Sequence, residues 1–500
     1  MRERMQMVGS NVGQKVWSMA NALRDDGVGS SAYLEQVTYL LFLKMADEYS
    51  KPPYSRTIGV PADCCWDTLR TKSGEELFAQ YDHVLKTLAS QQGTLRQIYS
   101  GAQNKISNPS QLAKIISMID GENWSAMSSD VKGDIYEDLL EKIAAATKSG
   151  AGQYFTPRAL INTIVKCVQP KPGKTIADPC CGSGGFLLAA KAYIENEYAT
   201  ELNKDQKRFL KYNTFKGWEI VQETYRLCLM NLFLHNIGDF EGIPPVVRAD
   251  SLLADPGDRF DYILTNPPFG MKSSMRFTNK RGEQEREDFT YNRQDFWTTS
   301  SNKQINFIQH IHTLLKVDGT AAVVIPDSVL SNEGDNEIIR RKLLETTDLH
   351  TILRLPSGVF YAQGISANVI FFDNKPASSA PQTNEIWIYD YRTNVHHTLK
   401  KKPLKESDLD DFVKCYCPGK RHLRRETYSL ENPNGRWRKY SYQEIISRDG
   451  AELDKEGVEQ KCIADDRTLS ELILSIKERS VAISTAIHNL EKLIEGVDDQ

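Results

Sequence analysis

Asp178-Pro179-Cys180-Cys181-Gly182-Ser183-Gly184-Gly185-Phe186 follows a short strand-like run, Thr175 to Ala177, and opens a helical pattern from Gly185 to Tyr198. Strand, glycine-rich turn and helix, in that order, begin a nucleotide-binding α/β unit. Gly182, Gly184 and Gly185, with Ser183 among them, let the backbone turn tightly and approach a ligand closely. The helix N-terminus behind them offers free N–H groups to a negative group. In a dinucleotide enzyme that group is pyrophosphate, but a carboxylate at Asp178 would repel a diphosphate. Asp178 suits instead a ligand with a positive amino or sulfonium group. S-adenosylmethionine carries both, and a carboxylate for the glycine turn.

Outward from this turn, strand-like runs alternate with helical ones. Thr214 to Trp218, Val246 to Ala249, Tyr262 to Thr265, Ala321 to Ile325 and His350 to Arg354 read as strands. Gln222 to Asn236 and Gln304 to Lys316 read as helices between them. The alternation predicts an α/β, Rossmann-like domain, a mostly parallel sheet with helices on both faces. Val359 to Phe372 reads as two further strands about Gly364, an antiparallel finish. Glu219 and Asp250 end the two strands after Asp178, and acids at successive parallel strand ends face one crevice. Glu219 is placed to accept from ribose hydroxyls and Asp250 from an adenine amino group.

About eighty residues after the glycine turn, the strand Tyr262 to Thr265 runs into Asn266-Pro267-Pro268-Phe269. The prolines fix the backbone direction and remove two donors. The Asn266 side-chain carbonyl and the Pro267 backbone carbonyl are two acceptors beside an aromatic plane, a site for a planar amine. The lone pair of a base amino nitrogen is spread into its ring. Accepting both N–H hydrogens draws that nitrogen toward tetrahedral geometry and frees the lone pair for in-line methyl transfer. Phe269 is placed to stack on the base, and a base inside a duplex must be flipped out to reach it. The residue spacing shows no metal-ligand cluster, so no metal is expected.

The chain has 500 residues, 40% hydrophobic and 26% charged, which implies two or three soluble domains. Met1 to Ser10 lacks the apolar segment of a signal peptide, and no run is long enough to span a bilayer, so a cytoplasmic protein without membrane contact is expected. The nine cysteines show no zinc-knuckle spacing and read as reduced thiols. With a net charge of −4, a DNA-binding role needs local positive charge or a partner. Residues 1–150 read as a helical domain, with helices through Val16 to Leu23, Leu34 to Ala46, Glu76 to Leu88 and Val131 to Ala145. Residues 151–395 read as the catalytic domain, in which Gly270 to Asn302 is a long polar loop. Residues 396–500 read as a basic coil from about His396 to Tyr440, then a helix from Thr468 to Ile494. In that helix Leu469, Ile476, Ile483 and Leu490 recur every seven residues, the seam of a coiled coil with a partner helix.

These motifs, with Gln153-Tyr154-Phe155-Thr156-Pro157-Arg158 just before the helix Ala159 to Val168, resemble the modification (M) subunits of type I restriction–modification systems. The resemblance covers nearly the whole chain. It implies that residues 153–158 close over the cofactor, with Thr156 and Pro157 near its methionine end. It implies methylation of adenine N6 in double-stranded DNA. It also implies a complex of two such chains with one specificity subunit, to which nuclease subunits can add. Small residues of several kinds occupy the positions of Cys180 and Cys181 in the family. Two other readings stay open at this point. Cytosine N4 is also an exocyclic amine, and a non-catalytic DNA-binding or scaffold subunit would equally carry a helical domain and a heptad tail.

Overall fold

The computed structural model describes residues 30–55, 58–124, 127, 156–239, 242–269, 274–278, 284–288, 290–360, 366–398, 402–454 and 480. Gln153, Tyr154, Phe155, the helices expected through Val16 to Leu23 and Val131 to Ala145, and the heptad seam lie outside these residues.

The helical domain comprises α1 (Ser30–Ser50), α2 (Gly74–Ala89), α3 (Pro109–Asp120) and shorter helices between them. Asn108 caps α3 by accepting from Ser110 N, with Pro109 in the first turn. The catalytic fold then alternates as the sequence predicts. Its elements are α4 (Arg158–Val168), β1 (Ile176–Asp178), α5 (Gly185–Glu197), β2 (Phe215–Glu219), α6 (Gln222–Leu234), β3 (Val246–Arg248) and β4 (Phe260–Thr265). After a two-stranded hairpin, β5 (Ser274–Thr278) and β6 (Gln284–Asp288), come α7 (Lys303–Leu314), β7 (Leu315–Pro326), α8 (Asp335–Thr346), β8 (Thr347–Arg354), β9 (Ala367–Asn374) and β10 (Glu385–Asp390). The chain closes the sheet with α9 (Asp410–Tyr416) and β11 (Trp437–Ser441).

The nine-stranded sheet has the order β11-β10-β8-β9-β7-β4-β1-β2-β3. β1 pairs in parallel with β2 on one side and β4 on the other. The chain thus leaves β1 in one direction and returns to its opposite flank, and in such sheets the crevice at the switch point is the ligand site. β9 runs antiparallel between β7 and β8. Successive residues of one strand feed opposite cores. Ile176 and Leu264 join the core under α4, α5 and α6, while Ala177 and Ile263 join the one under α7 and α8. The first core continues into the helical domain. Phe42 of α1 meets Phe233 of α6 at 5.5 Å, and Arg226 of α6 is ion-paired with Glu35 and bonded to the Tyr39 hydroxyl, all buried.

Three expectations change. Among the described residues, Val359 to Phe372 holds one strand, not two: β9 begins at Ala367, and Val359 and Phe360 are buried without joining a ladder. The polar loop Gly270 to Asn302 contains β5 and β6, which pair only with each other and so show no core-facing apolar run. The basic coil from His396 to Tyr440 is largely folded, and β11 pairs with β10, so the sheet extends beyond residue 395. Its arginines serve internal contacts. Arg421 pairs with Asp348 at 3.0 Å and Asp373 at 2.6 Å. Arg424 is buried, donates to Tyr416 O at 2.8 Å and lies over the Tyr416 ring. Arg436 donates to Asp390 O at 2.6 Å and Thr393 O at 3.0 Å.

Candidate active site

The turn after β1 is built from backbone geometry that glycine permits. Gly182 has φ +53° and Gly184 φ +88°, both left-handed. A Cβ at Gly184 would lie 3.1 Å from Cys228 Sγ and 3.3 Å from Leu232 Cδ2, so this glycine lets α6 pack against the turn. A Cβ at Gly182 would meet nothing within 4 Å, so its face is open space. Asn231 of α6 donates to Ser183 O at 2.9 Å and holds the turn. Gly185 begins α5 directly beneath. Cys181 Sγ lies 3.8 Å from Cys228 Sγ, a packing contact between buried thiols.

Asp178, Glu219 and Asp250 come to the same edge of β1, β2 and β3, as the sequence predicts. Asp178 is only 1% exposed. Its Oδ1 accepts from Thr265 Oγ1 at 2.6 Å and from Cys180 N at 3.1 Å. Burial pushes this carboxyl up to about 7, against the pull of those hydrogen bonds. Burial also raises Glu219, against backbone donors that include Val221 N, 2.8 Å from Oε1. Asp250 accepts from Leu252 N at 3.0 Å and from the Tyr291 hydroxyl at 2.8 Å. After Glu219, Ile220 is 60% exposed and Val221 48%, and Leu253, three residues beyond Asp250, is 60% exposed. The sequence reading did not single out these exposed apolar side chains near the strand-end acids.

Thr265 ends β4, and its hydroxyl ties the strand before Asn266-Pro267-Pro268-Phe269 to Asp178 at the switch point. The next residue, Asn266, donates from Nδ2 to Thr156 Oγ1 at 2.8 Å. Its Oδ1 is buried with no hydrogen-bond partner. A buried orphan acceptor is costly unless a ligand satisfies it. Pro267 is buried, and the Pro268 carbonyl accepts from the Gln304 side chain at the start of α7. Phe269 meets Phe360 edge-on at 5.5 Å. Phe360, from the segment expected to be a strand, is a second aromatic beside Phe269 that periodicity did not reveal. Arg158 is the first residue of α4, and Pro157 is its N-cap.

Away from this crevice, Asp63, Cys64 and His83 bring possible ligand atoms within 4.8 Å of one another, a grouping that residue spacing did not show. His83 Nε2 already meets Asp63 Oδ2 at 2.8 Å, and burial pushes the Cys64 thiol up to about 11. A surface hydrogen bond beside a core thiol accounts for all three.

A glycine turn and an Asn-Pro-Pro-Phe strand end thus flank the switch point of one α/β sheet, the arrangement of a nucleotide-binding crevice. The profile of the family described as N-6 DNA Methylase matches residues 127–449, and that of the HsdM N-terminal domain matches residues 12–119. The chain is 34% identical to the StySPI methylase subunit of Salmonella potsdam, over 97% of this chain and 95% of that one. It is 33% identical to the EcoKI methylase subunit of Escherichia coli (strain K12), with the same coverage. The solved EcoKI M protein matches with a TM-score of 0.54 at 29% identity over 96% of both chains. The chain belongs to the family of type I restriction enzyme methylase subunits.

Proposed function

We propose that the chain transfers a methyl group from S-adenosylmethionine to N6 of adenine in double-stranded DNA, as the modification subunit of a type I restriction–modification complex. The observation that carries the chemistry is the buried, unpartnered Oδ1 of Asn266 at the end of β4. It is an acceptor waiting for an N–H, and an exocyclic amine supplies one.

The crevice fits the cofactor. Open space at Gly182, the acids Asp178, Glu219 and Asp250, and the exposed apolar Ile220 and Val221 suit a ligand with a cationic end, hydroxyls and a flat ring. When bound, S-adenosylmethionine supplies an electrophilic methyl group. Glu219 and Asp250 would hold its hydroxyls and amino group, Asp178 its positive end, and residues 153–158 its methionine end. On the acceptor side, Asn266 Oδ1 and the Pro267 carbonyl accept the two N–H hydrogens. Phe269 stacks on a base flipped out of the duplex.

Much of the expected positive charge is spent inside the fold, while Lys402, Lys405, Lys420 and Arg425 remain exposed. Phosphate contacts dominate DNA affinity, so a specificity subunit supplies the target choice and much of the grip. Two copies of this chain join one specificity subunit through the heptad seam from Leu469 to Leu493, and nuclease subunits add to that core. Among the described residues no helix is long and apolar enough to cross a membrane.

The test is methylation of DNA by the chain with and without its specificity subunit, followed by digestion to nucleosides and mass spectrometry. N6-methyladenine formed only by the complex is the expected result. N4-methylcytosine in its place, or site-specific transfer by the chain alone, would sink the acceptor assignment or the division of labour respectively.

A further inference from the structure

We infer that Thr156 is a positioning residue for the methyl-acceptor site: its hydroxyl holds the side-chain amide of Asn266 in the orientation that presents Oδ1 to the target amine. The inference rests on the proposed role of Asn266 as an acceptor for the base amino group.

An asparagine amide has two orientations of similar intrinsic energy, because rotation about its terminal torsion is broadly two-fold. One presents a carbonyl oxygen to the pocket, the other an NH2 group. Only the first binds an exocyclic amine, since the second sets donor against donor. In the structure Nδ2 is spent on Thr156 Oγ1 at 2.8 Å, across 110 residues of sequence. Oδ1 is left buried and unpartnered. Thr156 is itself only 8% exposed, so water competes little for its hydroxyl. Without an acceptor at 156, Nδ2 would be buried with nothing to bond, and the amide would be free to turn over.

Thr156 is well held for this task. Pro157 follows it with φ −55°, and restricts the preceding backbone to extended conformations. α4 begins one residue later and packs on the first turn of α5, where a Cβ at Gly185 would lie 3.0 Å from Ile161 Cδ1. The glycine turn, α4 and Thr156 therefore form one packed unit. Through it, the segment over the cofactor side aims a side chain on the acceptor side.

The test compares the unaltered chain with Thr156→Val and Thr156→Ser, each assembled with its specificity subunit. Valine keeps the shape and removes the hydroxyl, and serine keeps the hydroxyl. For Thr156→Val, kcat at saturating S-adenosylmethionine and DNA is expected to fall about 10- to 100-fold. The calorimetric Kd for S-adenosylmethionine should change less than about threefold, about 0.65 kcal/mol or below. Thr156→Ser should restore most of kcat. A valine variant with kcat within about twofold of the unaltered chain, its loss confined to cofactor Kd, would overturn the inference and make Thr156 a cofactor contact alone. Equal losses in both variants would overturn it too. Failure of the unaltered complex to methylate adenine is a separate result; it removes the role of Asn266, and this role with it.

Discussion

The hydroxyl of Tyr291 donates to Asp250 Oδ2 at 2.8 Å and so clamps the chain returning from the β5–β6 hairpin onto the loop after β3. Two residues on, Arg293 adds to the clamp. It reaches Leu252 O at 3.2 Å and His310 Nδ1 at 3.0 Å, and pairs with Asp295 at 2.6 Å. Burial and the neighbouring guanidinium hold His310 down at about 3, so it stays neutral. The hairpin begins five residues after Phe269, and the chain leaving it is fastened to the loop that carries an expected cofactor contact. Tyr291→Phe should therefore weaken S-adenosylmethionine binding by about 2- to 10-fold, the worth of one hydrogen bond that orients a carboxylate. Calorimetry on the cofactor decides it; an unchanged Kd means that Asp250 is oriented without Tyr291.

Asn266→Ala removes the orphaned acceptor and leaves the acids and glycine turn untouched. Methyl transfer should drop by at least about 10²- to 10³-fold, the usual cost of deleting one preorganised group at a reacting centre. Cofactor affinity should stay within a few-fold. Retained transfer in a single-turnover assay with labelled cofactor would contradict the role given to Asn266.

Asp178 carries a pH dependence with a definite sign. Its folded-state pKa, about 7, lies above the ordinary carboxyl value of 3.8. The cofactor-free folded chain therefore holds a proton that the unfolded chain loses. The stabilisation is fully present below the unfolded value and is lost as pH rises through about 7. A cation brought beside Asp178 favours the ionised form, so its binding releases that proton. Affinity for S-adenosylmethionine should accordingly rise with pH below about 7, by at most about tenfold per unit, and then level off. In Asp178→Asn this component should vanish, as calorimetry across the pH range would show.

Two glycines of one turn should respond differently to alanine. At Gly184 the added Cβ meets Cys228 and Leu232 with φ at +88°, so Gly184→Ala should lower stability by about 1–3 kcal/mol. At Gly182 the Cβ enters open space at φ +53°, so the folding penalty should be smaller, about 1 kcal/mol. The main loss in Gly182→Ala should fall on cofactor affinity. Denaturant unfolding and cofactor titration on both variants separate the two effects, and equal profiles would place the ligand elsewhere.

The ion pair of Arg226 with Glu35 joins α6 to α1 in a buried setting. Arg226→Ala leaves the buried Glu35 with Lys105, 3.1 Å from its Oε2, as its remaining cationic partner, and should cost less than the about 3–5 kcal/mol of a fully unpaired buried charge. Replacing both residues together with apolar ones of similar size should cost much less. A single variant as stable as the unaltered chain would show that the helical domain docks without this pair.

The glycine turn, the three strand-end acids and Asn266-Pro267-Pro268-Phe269 were legible in the sequence because each depends on local chemistry. Glycine permits a left-handed backbone, proline removes donors, and an acid at a strand end must face the crevice of a parallel sheet. The alternation of strands and helices was legible for the same reason, since a strand buried on both faces reads as a continuous apolar run. β11 and the inward arginines were not, because a basic stretch looks solvated until Asp348, Asp373 and the Tyr416 carbonyl are brought to it. Phe360 beside Phe269, Tyr291 on Asp250 and Thr156 on Asn266 were hidden likewise. The sequence by itself determined where the glycine turn, the strand-end acids and Asn266-Pro267-Pro268-Phe269 fall on the sheet. Only the tertiary structure decided which atoms are satisfied and which are left open, because a hydrogen bond across 110 residues depends on packing and leaves no periodic trace in the chain.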